Sequence, residues 1–92
     1  KELYNRLQAE AINILAIVEG GQGEVLRITL EEEFQETAIK DFSLPARAII
    51  GIIKRGRNII FPHGDTNLKA GDQLIVFTMA HDAEAIKKVL GK

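Results

Sequence analysis

Apolar and polar positions alternate over Glu24 to Leu30, with Leu26, Ile28 and Leu30 on one side and Val25, Arg27 and Thr29 on the other. Period-two alternation predicts a strand with one buried face. Ile12 to Val18 is almost entirely apolar and rich in β-branched residues, which predicts a second strand. Gly20, Gly21 and Gly23 lie between the two runs. Glycine reaches positive φ without steric penalty, so this spacing predicts a hairpin. Ahead of it, Leu3 and Leu7 sit at i, i+4 among polar residues, which predicts a short helix from Glu2 to about Glu10. One helix over Glu2 to Val18 is the competing reading.

Farther along, Glu31 to Phe42 reads as a short helix with Ile39 and Phe42 facing inward. Its acidic start suits the positive end of a helix dipole. Leu44-Pro45 ends it, because the residue before proline is pushed out of the α region. Ala48 to Ile53 contains no polar residue, which predicts a strand covered on both faces. Gly51 in its middle invites a close approach. Arg55-Gly56-Arg57 makes a turn into a strand over Asn58 to Phe61, which Pro62 stops. Lys69-Ala70-Gly71-Asp72 is a tight turn before a buried strand over Leu74 to Met79. Asp82 is the expected N-cap of a final helix with Ala83, Ile86, Val89 and Leu90 as its stripe and Gly91 as its stop.

With 92 residues, 46% of them hydrophobic and 27% charged, the chain has room for one ordinary globular domain with an attached arm. Folding at this size leaves little excess stability, so self-association that buries more apolar surface would help. The formal net charge of −1 lacks the basic excess of a nucleic-acid binder. Absence of cysteine excludes disulfide and thiol chemistry. No apolar run approaches the ~20 residues that span a bilayer. The start at Lys1, with no signal-peptide pattern, reads as a piece of a longer protein or a processed chain.

Candidate chemistry is sparse. Gly64-Asp65-Thr66 and Gly71-Asp72 do not match a glycine-rich nucleotide fingerprint. Their aspartates read as acceptors for nearby turn amides. Glu31, Glu32, Glu33 and Glu36 supply no converging calcium geometry and read as a solvated helix start. His63 and His81 have no metal-ligand spacing, so no metal site is expected. Ser43 and Thr66 have no activating base, and an enzyme reading has no residues to stand on. Arg47, Lys54, Arg55 and Arg57 cluster around one strand, either as ordinary strand-end charge or as an anion contact.

Taken in order, Leu44-Pro45, Ala48 to Ile53, Arg55, Ile59 to Pro62, Gly64 to Thr66, Gly71-Asp72 and Leu74 to Phe77 closely resemble the TrkA C-terminal (RCK-C) domain family. Ile39 and Asp41 fall on the family's Ile-x-Asp-Leu-x-Leu-Pro. One departure is Glu36-Thr37, where members often carry Gly-Lys. The resemblance covers about residues 24 to 92 and divides the chain into a connector arm over 1–23, a short helix and strand, and the domain itself over 24–92. The fold it implies is α+β: a small antiparallel β-sheet with flanking helices, paired as a dimer across a two-fold axis.

The function it implies is a cytoplasmic regulatory, ligand-sensing and dimerisation module of a potassium transport system, peripheral to the membrane through a transporter partner. The expected partners are a second copy and a membrane-embedded potassium transporter subunit, with no nucleic acid and no direct membrane insertion. A small-ligand sensor attached to another transporter, such as a cation–proton antiporter or an anion symporter, is the alternative. A nucleotide or cyclic dinucleotide is the candidate ligand, while NAD or ATP belongs to a preceding domain. Some relatives bind cyclic di-AMP at the dimer interface, and those presenting an Arg-His pair just before the turn Asp use it on the ligand. Here Lys69-Ala70-Gly71-Asp72 lacks that His. The expected ligand position is the two-fold interface beside the apolar strand, with Arg47, Ile50, Ile52 and His63 as contacts. Period two places Ile50 and Ile52 on one strand face. The competing reading is that these isoleucines only pack the dimer.

Overall fold

The computed structural model describes residues 9–42, 44 and 48–90. In chain order the strands are β1 (Ala9–Ile17), β2 (Gly23–Leu30), β3 (Thr37–Ala38), β4 (Ile49–Arg55), β5 (Asn58–Ile60), β6 (Asn67–Leu68) and β7 (Gln73–Met79), followed by the helix α1 (Ala80–Leu90). Five strands form one antiparallel sheet in the order β1-β2-β7-β4-β5, and β3 pairs with β6 beside it. The result is a small antiparallel β-sheet domain with a short helix. Among the described residues α1 is the one α-helix, where flanking helices were expected.

The alternation in β2 is realised directly. Leu26, Ile28 and Leu30 are fully buried and meet Leu74 and Val76 of β7 on the inner face. Ile53, Leu68, Ala83 and Ile86 complete the core, so α1 closes the inner face with the near side of its stripe. Ile39 and Phe42 pack inward as expected, and Phe42 meets Phe34 edge-on with ring centroids 5.8 Å apart. The first hairpin turns through Gly20 and Gly21, at φ 71° and 74°, where glycine has no Cβ penalty.

Several expectations are corrected. Most of the helix expected over Glu2 to Glu10 lies outside the described residues, but Ala9 and Glu10 already belong to β1. The single helix over Glu2 to Val18 is likewise overturned for its described part, where Ala9–Ile17 is β1. Glu31 to Phe42 is not a helix. It forms a turn, the short strand β3 and a 3-10 turn over Ile39–Asp41. Glu32 and Glu36 would stand at i, i+4, where like charges disfavour helix, and Thr37 is used instead to pair with Leu68. Asp82 lies inside the first turn of α1 and is not its N-cap, because the helix follows β7 without a linker. β7 is buried on one face only: Phe77 and Met79 reach solvent on the other. The Gly91 stop lies outside the described residues.

The turn Lys69 to Asp72 does more than reverse the chain. Asp72 is 1% exposed, and its carboxylate accepts from Arg55 Nε at 2.8 Å, Arg55 Nη2 at 2.7 Å and the Lys69 backbone N–H at 2.8 Å. Arg55 Nη2 also donates to the Asn67 carbonyl at 2.8 Å. The Asp72 carbonyl accepts from the Leu30 N–H, and the Gly71 N–H donates to the Leu30 carbonyl. The ends of β2, β4 and β6 and the start of β7 are thereby tied at one point.

Hydrogen bonding to Asp72 raises the pKa of the Arg55 guanidinium above its ordinary value, with burial acting in the opposite sense. A base whose pKa is raised by folding gives stability that is complete below its unfolded pKa and is lost only as pH rises through the folded one. The Arg55 contribution is therefore constant up to strongly alkaline pH. The two partners differ in burial, so their removal should differ in cost. Arg55→Met leaves a buried, poorly compensated carboxylate and should cost about 3–5 kcal/mol. Asp72→Asn leaves an arginine that reaches water and should cost about 1–3 kcal/mol. Urea titration of both variants checks this, and equal costs would refute the asymmetry.

Candidate functional site

The face of the sheet opposite α1 has no element over it among the described residues. Cross-strand partners identify what it presents: Val25 and Ile49 flank Phe77, Arg27 and Ile52 flank Ile75, and Thr29 and Lys54 flank Gln73. Ile59 lies beyond Lys54 on β5, and Met79 continues the row on β7. Ile49 is 63% exposed, Ile59 50%, Phe77 44% and Met79 37%. Single exposed apolar side chains are common, but a contiguous set marks an interaction surface. Strand register places the cations Arg27 and Lys54 on this face. A second exposed apolar row, Ile14, Leu15, Ile17 and Val18, runs along the β1 edge toward the hairpin.

Strand β4 determines the shape of the open face through a bulge. Ile50 pairs with Val76 and Ile52 with Ile75, so Gly51 is an extra residue between two consecutive partners. A bulge places two residues opposite one and breaks the period of two. Ile50 therefore turns inward and packs against the core, while Ile52 turns outward. The expectation that Ile50 and Ile52 share a face is overturned for this reason. The expected close approach at Gly51 is present: a Cβ on Gly51 would collide with the Phe77 ring. The strand is also not covered on both faces by its own chain, as Ile49 demonstrates.

The remaining expected contacts do not gather here. Arg47 lies outside the described residues. His63 is exposed in the loop after β5. Its N–H donates to Thr66 Oγ1 at 3.0 Å, and its Nδ1 accepts from the Asp65 N–H at 3.3 Å. That loop is docked on the 3-10 turn, with Lys40 N–H on the Gly64 carbonyl and Lys40 Nζ 3.1 Å from Asp65 Oδ1. Asp65 thus pairs with a lysine, whereas Asp72 accepts a turn amide as expected. Arg55 leaves the basic cluster to serve as the structural partner of Asp72. Sequence reading missed that pairing, although an Arg and a Gly-Asp turn were both legible. Glu36 accepts from Asn67 Nδ2 at 2.9 Å. No group of three or more His, Cys, Asp or Glu able to hold a metal is found among the described residues. No helix among them is long and apolar enough to cross a membrane.

Comparison with known proteins fits this geometry. The chain is 34% identical over 96% of its length to a Trk system potassium uptake protein TrkA homolog of Archaeoglobus fulgidus. It is 27% identical over 95% of its length to Trk system potassium uptake protein TrkA homolog 1 of Methanosarcina mazei. It is 31% identical over 92% of its length to a Bacillus subtilis protein named "Putative Na(+)/H(+) antiporter YjbQ". The chain spans 20% of the length of each of the first two relatives and 14% of the third. Residues 26–91 match the TrkA-C domain, a span that begins within β2 and takes in the Arg55–Asp72 tie, the bulged β4 and α1. The chain belongs to the TrkA-C domain family.

Proposed function

We propose that this chain is a regulatory, non-catalytic module of a potassium transport system, acting from the cytoplasm through a membrane-embedded transporter subunit. The observation that carries this reading is the open apolar sheet face, a surface built for contact, on a TrkA-C domain whose relatives include potassium uptake proteins. We further propose that two copies pair through this face as a homodimer. Closed two-fold pairing hides the same patch on both copies at once. A regulatory ligand, if it is a nucleotide or cyclic dinucleotide, sits at that interface, with Ile52 beside Ile49 and Phe77 as apolar contacts and Arg27 as a cation in place of the Ile50–Ile52 pair. His63 is set aside as a contact at this face, because its loop is docked on the 3-10 turn over Ile39–Asp41, and Arg47 stays a proposed contact on the sequence alone. We place NAD and ATP binding outside this chain, because among the described residues no glycine turn stands at a helix N-terminus to hold a pyrophosphate.

The likeness to the Bacillus subtilis protein favours a second reading, in which the module senses a small ligand for a cation–proton antiporter. Deleting the coding segment for residues 1–92 in its host separates the two. Altered rubidium uptake supports the potassium reading. Unchanged rubidium uptake with altered sodium tolerance supports the second.

Sedimentation at low micromolar concentration should give about twice the 10.2 kDa chain mass, and a monomer would remove the pairing. Ile49→Asp, at a position 63% exposed, should yield a folded monomer. A dimer that persists in this variant would place the interface elsewhere.

A thermal-shift series over cyclic dinucleotides, NAD and ATP tests the ligand. A ligand specific for the native state raises the midpoint by mass action. NAD and ATP should leave it unchanged, and micromolar binding of either would contradict the assignment.

A further inference from the structure

Gly51 sits between two identical pairs, Ile49-Ile50 and Ile52-Ile53. In the observed register Ile49 faces Phe77 and Ile50 faces Val76. Sliding the strand ahead of Gly51 by one residue would remove the bulge. Ile50 would then stand opposite Phe77 on the outer face, and Ile49 would stand opposite Thr78 on the inner one. Either register sends one isoleucine of the pair inward and one outward. Hydrophobic patterning, which ordinarily fixes strand register, therefore discriminates weakly here, as it does in glycine-containing strands.

One contact belongs to the bulged register specifically. Gly51 is the extra residue between Ile50, opposite Val76, and Ile52, opposite Ile75, and the Phe77 ring occupies the place where a Gly51 side chain would be. We propose that the Phe77 ring seated on Gly51 selects the bulged register, making these two residues the determinants of which isoleucines form the outer face. The lock itself depends only on contacts within one chain. Its consequence, that the ring controls the surface through which copies pair, rests on the self-association proposed above.

The chain has no cysteine, so single cysteines report strand facing without background. Ile49→Cys and Ile50→Cys are labelled with a water-soluble maleimide, dilute enough that sedimentation shows monomer. The thiol of Ile49→Cys should react several-fold faster than that of Ile50→Cys. Adding Phe77→Ala should make the two rates converge, because the selecting contact is gone; Phe77 is 44% exposed, so the fold should survive. An undiminished contrast in Phe77→Ala would overturn the proposal and assign the register to core filling alone. Deleting Gly51 in the Phe77→Ala background removes the extra residue and should restore the contrast, since simple alternation then places residue 49 outward and residue 50 inward. Rates that stay converged after the deletion would mean general loosening and would equally overturn the lock. Repeating the labelling at dimer concentrations tests the other reading separately. Protection of the Ile49→Cys thiol supports pairing through this face, and its absence removes that interface while leaving the register result intact.

Discussion

The buried carboxylate of Asp72 is the point on which the domain's geometry depends. A charge that is 1% exposed must be compensated, and Arg55 does so through two hydrogen bonds, with the Lys69 amide as a third donor. Arg55 sits at the end of β4 and Asp72 at the start of β7, so the pair fixes one end of the contact between them. The reciprocal backbone bonds between Leu30 and the Gly71-Asp72 segment bring β2 to the same place. Such a pair is weak evidence for net stability, since its desolvation cost offsets much of the attraction. Its value is in specifying one arrangement of strand ends, because any other arrangement leaves a charge buried without a partner.

From that fixed end the sheet diverges into two unlike faces. Inward, Leu26, Ile28, Leu30, Leu74 and Val76 close against Ile53 and α1 with no exposure. Outward, side chains of similar size remain in contact with water. The outer face mixes Val25, Ile49, Ile52, Ile75 and Phe77 with Arg27, Thr29, Lys54 and Gln73, whereas the inner face over the core is apolar. The faces differ too in what the chain has to cover each one. The helix and the short β3–β6 pair lie with the core, and nothing described remains for the outer face.

The bulge at Gly51 couples these two faces. A strict alternation through Ile49 to Ile53 would give neither face its observed set of side chains. One extra residue lets Ile50 and Ile53 both reach the core while Ile49 and Ile52 both reach the open side. Glycine is required because its outward position is already filled by Phe77. A small local irregularity thus decides the composition of the open face of the sheet.

The sequence by itself determined the elements whose signal is local. The alternation of β2, the glycine turn after β1, the Gly56 and Gly71 turns and the stripe residues Ala83 and Ile86 follow from side-chain period and backbone sterics, and each is found where the residues place it. The TrkA-C likeness was equally legible, since it rests on ordered spacing. Tertiary structure alone decided the rest. The Glu31 to Phe42 segment has helical-looking composition, but pairing with Leu68 and packing of Phe34, Ile39 and Phe42 outweigh a weak propensity. The partner of Arg55 lies seventeen residues away, a distance over which no local pattern operates. The facing of Ile50 and Ile52 depends on a bulge that only the register against β7 reveals. For this reason Ile50 faces the core and Ile52 the open side, where one shared face was expected: strand periodicity is a property of one segment, but register is a property of two strand edges meeting.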